Sequence, residues 1–169
     1  MAAMKHTIVA LVQDKPGVLN RMASLFRRRG FNIDSIAVGH SETQGLSRMT
    51  IIVNGTTAVV EQVRKQVDKI VDVVRVLDIT NERTINRELA LIKVRATSAA
   101  RSEIIEIADI FHTDILDVAS DSLTVEIVGE EEKINDLINL LRPYGIREIA
   151  RTGRIAMVRG GKGSLSGKE

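Results

Sequence analysis

Asp14-Lys15-Pro16-Gly17-Val18-Leu19-Asn20-Arg21-Met22-Ala23-Ser24-Leu25-Phe26-Arg27-Arg28-Arg29-Gly30-Phe31-Asn32-Ile33 reads as a loop, a helix start, one amphipathic helix, a stop and the beginning of a strand. Val18, Leu19, Met22, Leu25 and Phe26 recur at helical spacing and form one apolar stripe. Pro16 suits the first helical position, where its missing N–H costs nothing. Asp14, just before it, is placed to attract the free N–H groups of the first turn. Arg27, Arg28 and Arg29 fall in the last turn, where cations suit the helix dipole. Gly30 then supplies a C′ residue with positive φ.

The start of this helix admits two readings. One is a capped core helix and nothing more. The other is a carboxylate site: Gly17 has no side chain, so a ligand can approach the backbone, and free N–H groups at a helix N-terminus bind anions. Asn32, at the head of the next strand, offers an acceptor and a donor on one short arm. In a dimer it could reach the helix start of a partner chain. A zwitterionic amino acid needs both kinds of group.

Working outward, the order of elements sets the fold. His6 to Val12 is a continuous apolar strand, central in its sheet. After the quoted helix, Asn32 to His40 alternates, with one slip between Ile33 and Ile36 that predicts a bulge. Leu46 to Val53 returns as a hairpin. Asn54-Gly55 turns the chain, Thr56 or Thr57 begins a helix reaching about Ile70, and Val71 to Ile79 closes the unit. This is β-α-β-β-α-β, the ferredoxin-like arrangement: α+β, a four-stranded antiparallel sheet with two helices on one face. The other face is expected to be open unless a second copy covers it, which predicts a homodimer.

The pattern then repeats in topology without repeating in sequence. Strand 88–97, helix 98–111, a hairpin from Asp114 to Val128 around Ser120-Asp121-Ser122, helix 130–141 and strand 146–151 follow in order. The domain reading is 1–80, a polar linker at 81–87, 88–159, and a Gly-, Ser- and Lys-rich tail at 160–169 expected to be flexible. The second unit lacks the Asp-x-Pro-Gly start. Its equivalent loop, Thr97 to Arg101, is therefore not expected to be the same site.

Composition narrows the function class. Of 169 residues 44% are apolar and only 2% aromatic, so the cores must be built from Val, Ile, Leu and Met. There is no cysteine, which removes disulfides, thiol nucleophiles and thiolate metal sites. His6, His40 and His112 lack metal-ligand spacing, so no metal site is expected. Gly161-Lys162-Gly163-Ser164 lacks the upstream glycine of a phosphate loop. A net charge of +2 and the absence of an aromatic stacking platform speak against nucleic acid. No apolar run is long enough to span a membrane and no signal-peptide core is present, so the chain is expected to be cytoplasmic. Nothing in the pattern argues for catalysis.

The ordered set Asp14-x-Pro16-Gly17-Val18-Leu19, Arg29-Gly30-Phe31-Asn32-Ile33 and Ser47-Arg48-Met49-Thr50-Ile51 resembles the ACT domain of the acetohydroxyacid synthase (acetolactate synthase) small regulatory subunit. Val71 to Val76 looks like that family's closing strand, and Glu88 to Val94 like the start of its C-terminal domain. The likeness runs from Lys5 to about Arg159. It implies a non-catalytic chain that binds the large, thiamin-diphosphate-dependent subunit of a transferase holoenzyme, raises its activity and confers feedback inhibition by valine. Leucine or isoleucine are alternative effectors. It places the effector at the interface of two ACT domains, at Asp14, Gly17, Val18, Leu19, Asn32 and Ile33. The family often has Asn at the position of Asp14, and an ionised aspartate accepts but does not donate. Thiamin diphosphate, Mg and FAD are expected on the catalytic partner, none on this chain. The alternative is a free-standing amino-acid-sensing regulator of another enzyme or of transcription.

Overall fold

The computed structural model describes residues 4–160 and 165. The chain divides into two compact units, Met1–Ile85 with Arg154–Glu169, and Asn86–Gly153.

The first unit runs β1 (Met4–Gln13), α1 (Val18–Arg28), β2 (Ile33–His40), β3 (Leu46–Gly55), α2 (Thr57–Val67), β4 (Val73–Asp78). Its sheet has the order β2-β3-β1-β4, all antiparallel. Alternation along β1 decides the packing. Ile8, Ala10 and Val12 face a core completed by Met22, Leu25 and Phe26 of α1 and Val60, Val63 and Val67 of α2. The predicted bulge is present, as a register shift between Ile33 and Ser35. Helix α1 ends on a Schellman motif. Gly30 has φ 67°, and the N–H groups of Gly30 and Phe31 donate to the carbonyls of Arg27 and Phe26.

The second unit repeats the arrangement: β5 (Thr84–Arg95), α3 (Arg101–Ile110), β6 (Asp114–Val118), β7 (Ser122–Gly129), α4 (Glu131–Leu141), a 3-10 turn at Arg142–Tyr144 and β8 (Ile146–Arg151). The strand order is β6-β7-β5-β8. Ala90, Ile92 and Val94 face Ile104, Ala108, Ile134, Leu137 and Leu141 of the two helices. Both halves are thus ferredoxin-like βαββαβ folds.

Three sequence expectations need correction. First, the reverse face of the first sheet is not open over β1. Val9 and Leu11 are covered by β9 (Ile155–Val158), with Ile79, Ala156 and Leu165 buried against them and Leu46, Leu77 and Val158 around the rim. The guanidinium of Arg48 on β3 donates to the Ala156 carbonyl at 2.7 Å, and burial pushes that guanidinium's pKa down while the charge of Glu42 opposes the shift. Residues 154–159, counted with the second domain by pattern, therefore group with the first unit. Second, 81–87 is no irregular linker: after a turn near Thr80, β5 already begins at Thr84, and β9 pairs with it. Polar composition suggests a linker, whereas a hydrogen-bonding partner distant in sequence makes a strand. Third, the tail at 160–169 includes the buried Leu165; residues 161–164 and 166–169 lie outside the described residues.

Two predictions follow from this packing. Leu165→Ala removes a side chain that seals Val9 and Leu11, and is expected to lower unfolding free energy by about 2–3 kcal/mol in urea titration. On α2, Arg64 forms two 2.8 Å hydrogen bonds to Glu61 and holds its carboxyl down to about 2. A depressed folded-state value stabilises above the ordinary carboxyl pKa of 4.5, and this is lost as pH falls toward 2. NMR titration should find the Glu61 midpoint near 2 in the native chain and back in the ordinary carboxylate range in Arg64→Ala.

Candidate functional site

The loop from β1 into α1 is held from two sides. The N–H of Asp14 donates to the Gly45 carbonyl in the β2–β3 hairpin at 2.9 Å, and that of Gln13 to the Asp72 carbonyl before β4 at 2.8 Å. The side chain of Asp72, almost wholly buried, is ion-paired with Arg21 on the first turns of α1. The helix start is thereby fixed in position. Its capping differs from the expectation. Pro16 lies in a turn ahead of the helix, and Gly17 is the N-cap with φ 86° and no side-chain capping bond. The Asp14 carboxylate instead sits 3.3 Å from Nδ1 of His40 at the end of β2. Two residues, Lys15 and Pro16, separate Asp14 from the N-cap, so its side chain is not at the capping position.

The result is a bare helix N-terminus. The first intrahelical bond runs from Arg21 N–H to the Gly17 carbonyl. Among the described residues, the N–H groups of Leu19 and Asn20 have no backbone acceptor outside the helix. A Cβ built on Gly17 meets nothing within 4 Å, so the approach is open.

The six residues named from sequence do not form one cluster within a single chain. Asp14, Gly17 and the half-exposed Leu19 gather at the helix start. Val18 is 2% exposed and belongs to the core, so its backbone but not its side chain can face a ligand. Asn32 and Ile33 lie beyond the other end of α1. A helix of 11 residues is about 16 Å long. Asn32 is exposed, with its amide nitrogen 3.5 Å from the Asp34 carboxylate, and Ile33 is half-buried against the core. His40 and the Arg21–Asp72 pair complete the surroundings of the helix start. Sequence reasoning passed over both, because their partners are set by strand register and by a turn more than fifty residues away.

At the equivalent loop of the second unit, side chains bind the loop backbone, although the N-cap of α3, Ala100, likewise has no side-chain capping bond. One guanidinium nitrogen of Arg101, the first residue of α3, donates to the carbonyls of Ala119 at 2.6 Å, Ser120 at 3.0 Å and Ala96 at 3.4 Å. The Thr97 hydroxyl accepts from Ala100 N–H at 3.3 Å. The chain's own side chains occupy that loop. No group of three or more His, Cys, Asp or Glu suited to a metal occurs among the described residues. Nor, among them, is any helix long and apolar enough to cross a membrane.

Comparison with known proteins divides the chain along the sequence, so that β9, grouped in space with the first unit, falls in the C-terminal match. Residues 8–75 match the family model described as AHAS small subunit-like ACT domain, and residues 87–160 match that of the small subunit of acetolactate synthase. The chain is 54% identical over 159 residues to the probable acetolactate synthase small subunit of Archaeoglobus fulgidus, covering 94% of this chain and 99% of that one. The chain belongs to the acetolactate synthase small subunits. The Bacillus subtilis small subunit is 50% identical over 93% of this chain and 92% of its own length. The crystal structure of the Thermotoga maritima small subunit superposes with a TM-score of 0.86 at 44% identity, covering 94% of this chain and 99% of that one. The first unit is accordingly an ACT domain, and among the described residues the left-handed glycine cap at a helix start belongs to this small subunit's ACT half.

Gly17→Ala tests that backbone directly. With open space around the Cβ, the only cost is a left-handed φ for a residue with a side chain. Unfolding in urea should show a loss of about 1–2 kcal/mol with the fold retained. An unchanged stability would mean that Gly17 does not hold this conformation.

Proposed function

We propose that this chain is the regulatory subunit of acetolactate synthase. It binds the catalytic large subunit, raises its activity and makes it sensitive to valine held between two ACT domains. The chain is itself non-catalytic and acts in the cytoplasm. The large subunit holds thiamin diphosphate, Mg and FAD, and this chain supplies no group to them.

The observation that supports this reading is that the candidate residues fall at opposite ends of one edge strand. β2 is hydrogen-bonded only to β3, so its other edge is free among the described residues. Its last residue, His40, adjoins Asp14 and the helix start; its first, Ile33, follows Asn32. Over 8 residues these ends are about 25 Å apart. An antiparallel pairing of β2 with its copy, about a two-fold axis near Ile36 and Ala37, brings Asn32 of one chain to the helix start of the other. One dimer then contains two complete sites.

The chemistry of each site suits an α-amino acid. The carboxylate accepts from the free N–H groups at the start of α1, where the helix dipole favours negative charge. The ammonium donates to the amide oxygen of Asn32 from the second chain and to the Asp14 carboxylate. The exposed Leu19 and the second chain's Ile33 bound the side chain. A branched aliphatic side chain fits walls of this kind.

The test is a valine titration of synthase activity with the reconstituted pair. Asn32→Ala removes one charge-assisted contact, worth about 1.5–3 kcal/mol, and should move the inhibition curve up by about one to two decades while activation stays near wild type. Gly17→Asp places a carboxylate beside the helix start and should also weaken valine binding in a folded chain. Loss of activation with unchanged valine sensitivity of the residual activity would make Asn32 a partner or folding residue. Solution scattering at micromolar concentration should return a dimer mass; a monomer refutes the shared site.

A further inference from the structure

On the first unit, a cleft runs between the exposed side of α1 and the turn that leads into β4. Asn20, Ser24, Arg27 and Arg28 line one wall, Leu25 lies at its base, and Val71 forms the other wall. The spacing of 20, 24, 27 and 28 puts the four on one helix face. Asn20 and Ser24 are short, which leaves the groove open between the arginines and Val71.

Two features of the cleft are unaccounted for by the fold. Val71 is 82% exposed, the most exposed large apolar residue of the chain's described part. Neither Arg27 nor Arg28 has an acidic partner among the described residues, although Arg21 on the same helix is paired with Asp72. The helix dipole explains cations in the last turn of α1, but it leaves their guanidinium groups free to bind and does not explain Val71. Guanidinium groups beside an exposed apolar residue match a segment carrying carboxylates next to an apolar anchor.

One wall of the cleft is the turn that leads into β4. β4 and β2 are the two opposite edges of the sheet. A dimer formed through β2 leaves the β4 side, and this cleft, uncovered. We propose that the cleft receives an acidic segment of the acetolactate synthase large subunit, with its carboxylates on Arg27 and Arg28 and an apolar side chain against Val71 and Leu25. This rests on the association with the large subunit proposed above.

The experiment measures binding of the full-length chain to the purified large subunit by calorimetry, across a salt series. Three variants are compared: Arg27→Glu with Arg28→Glu, Val71→Asp, and Arg27→Lys with Arg28→Lys. The first two are expected to weaken binding by about tenfold or more. The lysine variant should keep much of the affinity, and raised salt should weaken wild-type binding, as for other exposed charge pairs. Valine binding to the small subunit and its dimer mass should not change. Should charge reversal unfold the helix, Val71→Asp decides alone, because an exposed turn residue tolerates a carboxylate. Wild-type affinity in the charge-reversed and Val71 variants overturns the cleft and leaves the regulatory reading standing. No binding by the unmodified chain overturns both. A fall in dimer mass in these variants overturns it as well, by making the cleft a contact between copies.

Discussion

The first unit depends on β1 being buried on both faces. Ile8, Ala10 and Val12 require cover on one side, and Val9 and Leu11 require it on the other. The two helices supply the first cover. The second comes from β9 and Leu165, which arrive only after the whole second unit has been threaded. Each fully buried aliphatic side chain is worth about 1.5–3 kcal/mol. A single layer of helices would leave half of that gain from β1 unused. The ACT fold of this chain is therefore not complete in its first eighty residues, and its stability is coupled to the C-terminal end of the sequence.

The path of β1 also sets the helix start. Its last residues are hydrogen-bonded to the hairpin at Gly45 and to the turn at Asp72, and Arg21 ties the helix to that same turn. In the second unit the equivalent loop is engaged by side chains, although α3 too has no side-chain cap. There Arg101 and Thr97 satisfy the loop from within. In the first unit a left-handed glycine takes the capping position, and the nearest carboxylate turns away to His40. One topology thus yields a loop whose backbone is bound by its own side chains and, among the described residues, a loop that turns into its helix on a bare glycine. The difference lies in the side chains the loop carries: Thr97 and Arg101 in the second unit, Gly17 at the cap in the first.

Much of this was legible in the sequence because the signals are local. The stripe from Val18 to Phe26, the stop at Gly30, the bulge after Ile33 and the doubled β-α-β-β-α-β order all follow from spacing within a few residues, and all are present. The Asp-x-Pro-Gly motif marked the loop before α1 but the wrong cap. Proline and aspartate favour a helix start in general, while the actual start was decided by backbone φ at Gly17.

What the sequence by itself determined is the elements of the two βαββαβ units, their order and the loop that differs between the two halves. These depend on periodicity and on the conformational limits of glycine and proline, which act between near neighbours. Only the tertiary structure decided that Ile155 to Val158 covers β1, that Val18 is core while Leu19 faces outward, that Asp14 meets His40, and that Asn32 stands a helix length away from Gly17. Each of those depends on strand register or on a partner far along the chain. Registers are chosen by the summed burial of the whole sheet, and no short stretch of residues carries that sum.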